Sequence, residues 1–214
     1  MRKYLFILSL FSSLLVIAQT AQSILQNSIS YHDPNGEWKT LKATFIFKET
    51  RPDGPDRKTM FTIDNARNKH TINRNDEEIY ETDGSIVRVV KGSGNQERGK
   101  MLRNYYVYLW GLPMKLMDQE TSLSDNVGKK VIGEKLCFTL TVEYEKETWT
   151  YYIDQKNFAL RAYGFRKNNG SGQEEFIQLE GEVLVGNMKL PKSRSWYDMP
   201  ANKYLGTDTL ESLK

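Results

Sequence analysis

The chain's stock of reactive side chains is small: two histidines, His32 and His70, and one cysteine, Cys137. A hydrolytic triad needs a base within hydrogen-bond reach of a nucleophile. No G-x-S-x-G elbow presents a serine. His32 falls in Tyr31-His32-Asp33-Pro34-Asn35-Gly36, a strong turn signal, where capping or loop bonding accounts for it as readily as chemistry with Asp33 does. A polar site of His32 and Asp33, with Arg194 brought in by the fold, would suit a hydrolase-type enzyme. His70 stands between Lys69 and Thr71 in an alternating segment and is expected to be exposed. Cys137 lies in an apolar run and is expected to be buried packing. A reactive thiol is the sharper alternative, although neither histidine is near it in sequence.

These residues are too few and too scattered for a zinc site, so no metal is expected. Lys91-Gly92-Ser93-Gly94 lacks Walker spacing and its Lys-Ser/Thr ending, and no cofactor is expected. Asp76-Glu77-Glu78 and Glu174-Glu175 read as solvated surface. A glycosidase pair need not be close in sequence and stays open.

Apolar surface is more abundant than chemistry. Aromatic residues make up 12% of the chain, with 12 tyrosines and 4 tryptophans. Leu102, Tyr105, Tyr106, Leu109 and Trp110 follow helical spacing within Lys100–Asp118, predicting an aromatic helix. Gly111 and Pro113 should end or kink it, and a Met-rich stretch with Met114, Leu116 and Met117 follows. Methionine suits a surface that adapts to varied apolar shapes.

The elements that must position these residues are mostly strands. Gln22–Tyr31 predicts a short amphipathic helix docked on a sheet. Trp38–Lys48 alternates, with Leu41, Ala43, Phe45 and Phe47 on one face. Further strands are expected at Lys58–Ile63, Lys69–Arg74, Glu77–Thr82 and Ser85–Lys91, with Asp83-Gly84 as a hairpin turn. Gly92–Gly99 reads as a polar loop. The second half predicts strands at Gly133–Glu145, Trp149–Asp154, Leu160–Lys167, Glu175–Val185 and Met188–Tyr197. The tail after Pro200 reads as irregular, with a short strand at Tyr204–Leu210 as an option. Mainly β with α is the expected class: an antiparallel curved sheet or half-barrel, with an N-terminal helix and the mid-chain helix as lid or plug. A sandwich is the alternative arrangement.

Arg2 and Lys3 precede an almost wholly apolar run from Tyr4 to Ile17, shorter than the roughly 20 residues a bilayer span needs. Residues 1–18 therefore read as a signal peptide cut after Ala18, with Ala21 as a second option. A lipoprotein would need a cysteine just after the cut, and no stable membrane anchor is expected. Residues 19–214 then form one domain in the periplasm or outside the cell. Without Arg2 and Lys3 the 30 basic residues fall to 28 against 27 acidic ones. That balance argues against nucleic acid as a partner.

The chain resembles a group of secreted bacterial proteins that share three motifs. These are Tyr31-His32-Asp33-Pro34-x-Gly36-x-Trp38, Leu109-x-Gly111-Leu112-Pro113-Met114-Lys115 and Leu190-Pro191-Lys192-x-Arg194-x-Trp196-Tyr197. That likeness covers nearly the whole mature chain and implies no activity. The order of helix, strands, mid-chain helix and strands is also similar to that of the outer-membrane lipoprotein carriers, LolA and LolB-like. Their fold is a half-open antiparallel barrel with helices as a lid over an apolar cavity. The likeness rests on topology, without a motif, and implies a periplasmic place and acyl-chain binding by fold analogy. Residues 19–214 are then a single LolA-like domain. The leading expectation is a binding protein for an apolar, lipid-like ligand, an acyl chain or lipoprotein. Phe45, Phe47, Tyr105, Leu109, Trp110, Met114 and Leu116 would line its cavity or lid. The hydrolase is one alternative. A non-catalytic envelope interaction protein with a sealed core is the other, its partner an envelope protein.

Overall fold

The computed structural model describes residues 19–118 and 121–214. The signal peptide and its cleavage at Ala18 lie outside the described residues. Helix α1 (Ala21–His32) opens the fold, its first turn capped where the Thr20 hydroxyl accepts from the Ser23 N–H at 3.1 Å. A 3-10 turn (Glu37–Thr40) leads into β1 (Lys42–Arg51) and β2 (Gly54–Asp64). A meander follows: β3 (Lys69–Arg74), β4 (Glu78–Asp83) and β5 (Ile86–Lys91). Helix α2 (Gln96–Trp110) and a 3-10 turn (Met114–Met117) interrupt the strands. The remainder is β6 (Gly128–Ile132), β7 (Lys135–Glu143), β8 (Glu147–Asp154), β9 (Leu160–Lys167), β10 (Glu174–Val185), β11 (Met188–Met199) and β12 (Lys203–Leu213).

All the strands form one antiparallel sheet in the order β5-β4-β3-β2-β1-β12-β11-β10-β9-β8-β7-β6. The C-terminal strand pairs with the first, so the sheet consists of two meanders joined through β1 and β12. Among the described residues β5 and β6 do not pair, and the sheet is a curved half-barrel rather than a closed one. Register shifts at Ile46/Phe47, Ile79/Tyr80, Tyr152/Ile153 and Trp196/Tyr197 mark bulges. Each extra residue adds local twist, which helps a wide sheet to curl.

Two apolar clusters fill the concave side. Phe45, Phe47, Phe61, Ile63, Ile72, Tyr80 and Val87 of the first meander meet Leu102, Tyr106 and Trp110 of α2. Leu140, Val142, Tyr151, Ile153, Tyr163 and Ile177 of the second meander meet Ile24 and Leu25 of α1 and Leu109 of α2. Helix α2 thus contributes to both. It starts earlier than Lys100 because Asn95 caps it, accepting from the Arg98 N–H at 2.9 Å. Gly99 permits the close approach: a Cβ there would lie 2.5 Å from Val87 and 2.7 Å from Tyr80.

Several expectations change. Trp38 belongs to the 3-10 turn, and β1 starts only at Lys42. The expected Gly133–Glu145 strand is present as β7, Lys135–Glu143, but an unexpected strand, β6, precedes it and turns into it at Gly133 with φ +57°. The tail after Pro200 is a full strand at the centre of the sheet. His70 is buried, not exposed, because positions 70, 72 and 74 of β3 all point inward. Cys137 is buried as expected, in a small separate cluster with Tyr152 and Ala162.

Candidate functional site

The concave trough under α2 is where the sequence placed a ligand. Its floor is set by strand periodicity, which points alternate residues of β1 to the same side. Phe45, Phe47 and Glu49 are all fully buried. Phe47 lies under Trp110, ring centroids 4.5 Å apart, and under Tyr106 at 5.7 Å. Phe61 adds a second contact to Tyr106 at 5.4 Å. Phe45, Phe47, Trp110 and Met114 meet in the first cluster, and Leu109 and Leu116 in the second. Half-buried Tyr105 packs against both. The structure therefore brings the seven candidates into the core, with α2 side chains filling the space that they were expected to line.

A polar network sits inside this apolar setting. Glu49 accepts from Thr59 at 2.9 Å, Arg57 at 2.8 Å, Arg74 at 3.3 Å and the Tyr106 hydroxyl of α2. Asp208 of β12 accepts from Arg51 at 3.1 Å, Arg194 at 3.2 Å, Trp196 at 3.2 Å and the Tyr105 hydroxyl of α2. Arg51 joins the two nodes, since it also lies 3.6 Å from Glu49. Two adjacent tyrosines thus fasten α2 to two buried carboxylates. Burial pushes the Glu49 carboxyl up, but Tyr106, Arg74, Arg57 and Thr59 outweigh it and hold it below the ordinary carboxylate value. Burial and the neighbouring carboxylates raise both phenols, so both hydroxyls stay protonated as donors. At the N-terminal end of α2, Arg98 reaches Glu78 of β4 at 3.0 Å. The Arg98 bond, against the cost of burial, holds that carboxyl down at about 2.

His32 and Asp33 lie elsewhere and are fully employed. The His32 Nε2 accepts the Leu160 N–H at 2.9 Å, so Nδ1 carries the proton and donates to the Lys189 carbonyl at 2.6 Å. Burial lowers the His32 pKa, keeping the ring neutral. Asp33 accepts the Glu37 and Trp38 N–H groups at 2.7 and 2.9 Å. Arg194 shares none of these partners; its carboxylate is Asp208. The three residues do not form one polar site, and His32 has no ring nitrogen left to act as a base.

Open concavities lie away from α2. One, of about 450 Å3, is lined by Arg51, Pro52, Pro55, Arg57 and Leu205 at the β1–β2 turn. Another, of about 390 Å3, is lined by Thr141, Thr150, Tyr152, Arg166 and Phe176 on the second meander. Among the described residues no group of histidine, cysteine and carboxylate side chains could hold a metal ion, and no helix is long and apolar enough to cross a membrane.

The family of unknown function DUF6503 matches residues 91–212. No curated protein matches the sequence. Solved structures similar to this one include a LolA superfamily protein from Nitrosomonas europaea, 12% identical, with a TM-score of 0.60 over 92% of this chain and 94% of that one. A putative outer membrane lipoprotein-sorting protein domain from Vibrio parahaemolyticus is 8% identical, with a TM-score of 0.54 over 91% of each chain. A DUF1329 family protein from Desulfovibrio piger is 7% identical, with a TM-score of 0.53 over 91% of this chain and 92% of that one. At these identities the likeness is one of fold, a LolA-like half-barrel with an N-terminal and a mid-chain helix.

Proposed function

We propose that this chain, which belongs to the DUF6503 family, is an envelope binding protein that takes an apolar, lipid-like ligand between α2 and its sheet. Residues 1–18 serve as the export signal in this reading, and residues 19–214 work as one domain in the periplasm or outside the cell. One observation carries it: an unclosed sheet whose aromatic floor is covered by the side chains of a single helix. Phe45 and Phe47 provide the floor. Tyr105, Leu109, Trp110, Met114 and Leu116 provide the displaceable cover.

The magnitudes allow the exchange. Burying a large apolar side chain contributes about 1.5–3 kcal/mol, so Leu109, Trp110, Met114 and Leu116, the buried part of the cover, together hold it with about 6–12 kcal/mol. An acyl chain of about 15 methylenes recovers about 12 kcal/mol at ~0.8 each. A ligand chain can therefore replace the helix's contacts without a large net loss. The LolA-like fold supports this reading by analogy.

The direct test is lipid extraction of the purified protein followed by mass spectrometry, with fluorescent fatty acid binding beside it. Glu78→Cys with Arg98→Cys, bridged by a short reducible thiol crosslinker, would staple α2 to β4, where these two side chains meet. The bridged variant should bind no fatty acid and recover on reduction. A protein that carries no lipid and ignores fatty acid in every state would end the proposal. It would leave the sealed-core interaction protein, which the well-filled trough and the distant clefts favour.

A further inference from the structure

We infer that Arg194 marks the seat of a negatively charged head group, so that the ligand is an anionic amphiphile rather than a neutral lipid; this rests on the reading of α2 as a displaceable cover. Arg194 is fully buried at the centre of the concave face. One of its nitrogens, Nη2, meets Asp208 at 3.2 Å. Its Nε and Nη1 find no acceptor, and neither do the buried Trp110 Nε1 and Tyr163 hydroxyl. These orphans are neighbours. The guanidinium lies 4.2 Å from the Trp110 ring and beside the Tyr163 hydroxyl.

The local shortage is one of acceptors. Asp208 already takes donors from Arg51, Arg194, Trp196 and Tyr105. Across the whole network Arg51, Arg57, Arg74, Arg98 and Arg194 face Glu49, Glu78 and Asp208. Water reaches Arg51, Arg57 and Arg98 at the rim, but not Arg194. Charged donors left without acceptors in a core are costly, and native proteins rarely keep them.

Trp110 shows what would satisfy them. Its indole spans the gap between Phe47, at 4.5 Å, and the Arg194 guanidinium. A ligand that displaces it must carry an apolar body and, at one end, an oxygen acceptor. An oxygen of a carboxylate or phosphate can accept from the free Nη1 or Nε of the guanidinium, and the Tyr163 hydroxyl adds a further donor.

The test displaces a fluorescent fatty acid with palmitic acid, hexadecyl phosphate or hexadecanol. The two anions should compete at least about 10-fold better than the alcohol, as expected for charge-assisted hydrogen bonds. Arg194→Gln should erase that preference while the alcohol still competes. If that variant does not fold, Tyr163→Phe should shrink the preference by about threefold or more. Equal competition by acid and alcohol would overturn the head-group assignment and leave the apolar-ligand reading standing. A preference that survives Arg194→Gln but falls with Arg51→Gln would place the anion at the surface cleft and also overturn it. Failure of all three competitors, with no binding of the fluorescent probe itself, would remove the ligand reading altogether.

Discussion

The two helices lie on the same sheet but are held to it by different kinds of bond. Helix α1 is stapled through a neutral imidazole to two backbone groups, Leu160 N–H and Lys189 C=O, and Asp33 locks the turn that follows it. Helix α2 is held mainly through pairs of side chains at its polar contacts, Tyr105 on Asp208, Tyr106 on Glu49 and Arg98 on Glu78, with one backbone partner, the Gly84 C=O that Arg103 reaches at 3.2 Å. Backbone partners cannot turn away, whereas carboxylates surrounded by arginines always have another donor to take. A fastening of the first kind suits a permanent part of the scaffold, and one of the second kind suits a part that leaves and returns.

The largest expected effect tests the apolar half of that contrast. Trp110→Ala should cost about 3–5 kcal/mol in denaturant unfolding, since it empties a fully buried site. It should also speed fatty acid uptake if α2 is the cover. Next comes pH. Burial, helped by Arg103 and Lys115, lowers the His70 pKa from 6.5 to about 4. The unfolded ring therefore takes a proton before the folded one does. Stability is complete above about pH 6.5 and falls as pH drops toward 4, by on the order of 3 kcal/mol. His32 runs the same way, so His70→Leu should remove only part of the slope of unfolding free energy against pH.

His32→Ala should cost about 2–3 kcal/mol, because two buried backbone groups lose their partner. Faster amide exchange at Leu160, with ligand uptake unchanged, is the signature of a scaffold fastening. Tyr106→Phe is the smaller counterpart on α2, about 1–2 kcal/mol. Its signature is quicker ligand uptake beside a smaller loss of global stability than the His32 variant shows. Equal effects on uptake from the His32 and Tyr106 variants would erase the distinction between the helices.

The hairpins and both helices were legible because period and turn chemistry are local. Phe45 and Phe47 announce an inward face, and Asp83-Gly84 announces a turn. The pairing of β1 with β12 was not legible, since no local signal tells a C-terminal strand that its neighbour lies at the other end of the chain. Polar β6, with Lys129 and Lys130, lacks the apolar alternation that marks a strand. The network was missed for a related reason. Glu49 continues the Phe45–Phe47 face and Arg74 continues the His70–Ile72 face, but a charge in such a row reads as the point where burial stops. A charged residue two places beyond a run of inward aromatics was the available signal. His32 and Asp33 were conspicuous by residue type, yet their backbone partners lie on distant strands and leave no trace in the sequence.

The lone thiol has a practical use. Cys137 sits under Tyr152 and Ala162, and burial lifts its pKa to about 11. At neutral pH it should stay dark to alkylating reagents while the β7–β9 region is intact, and react once that region opens. The wild-type chain thus contains its own clock for the unfolding of the second meander. Any pair of cysteines added elsewhere can be oxidised, labelled or cross-linked against a silent background.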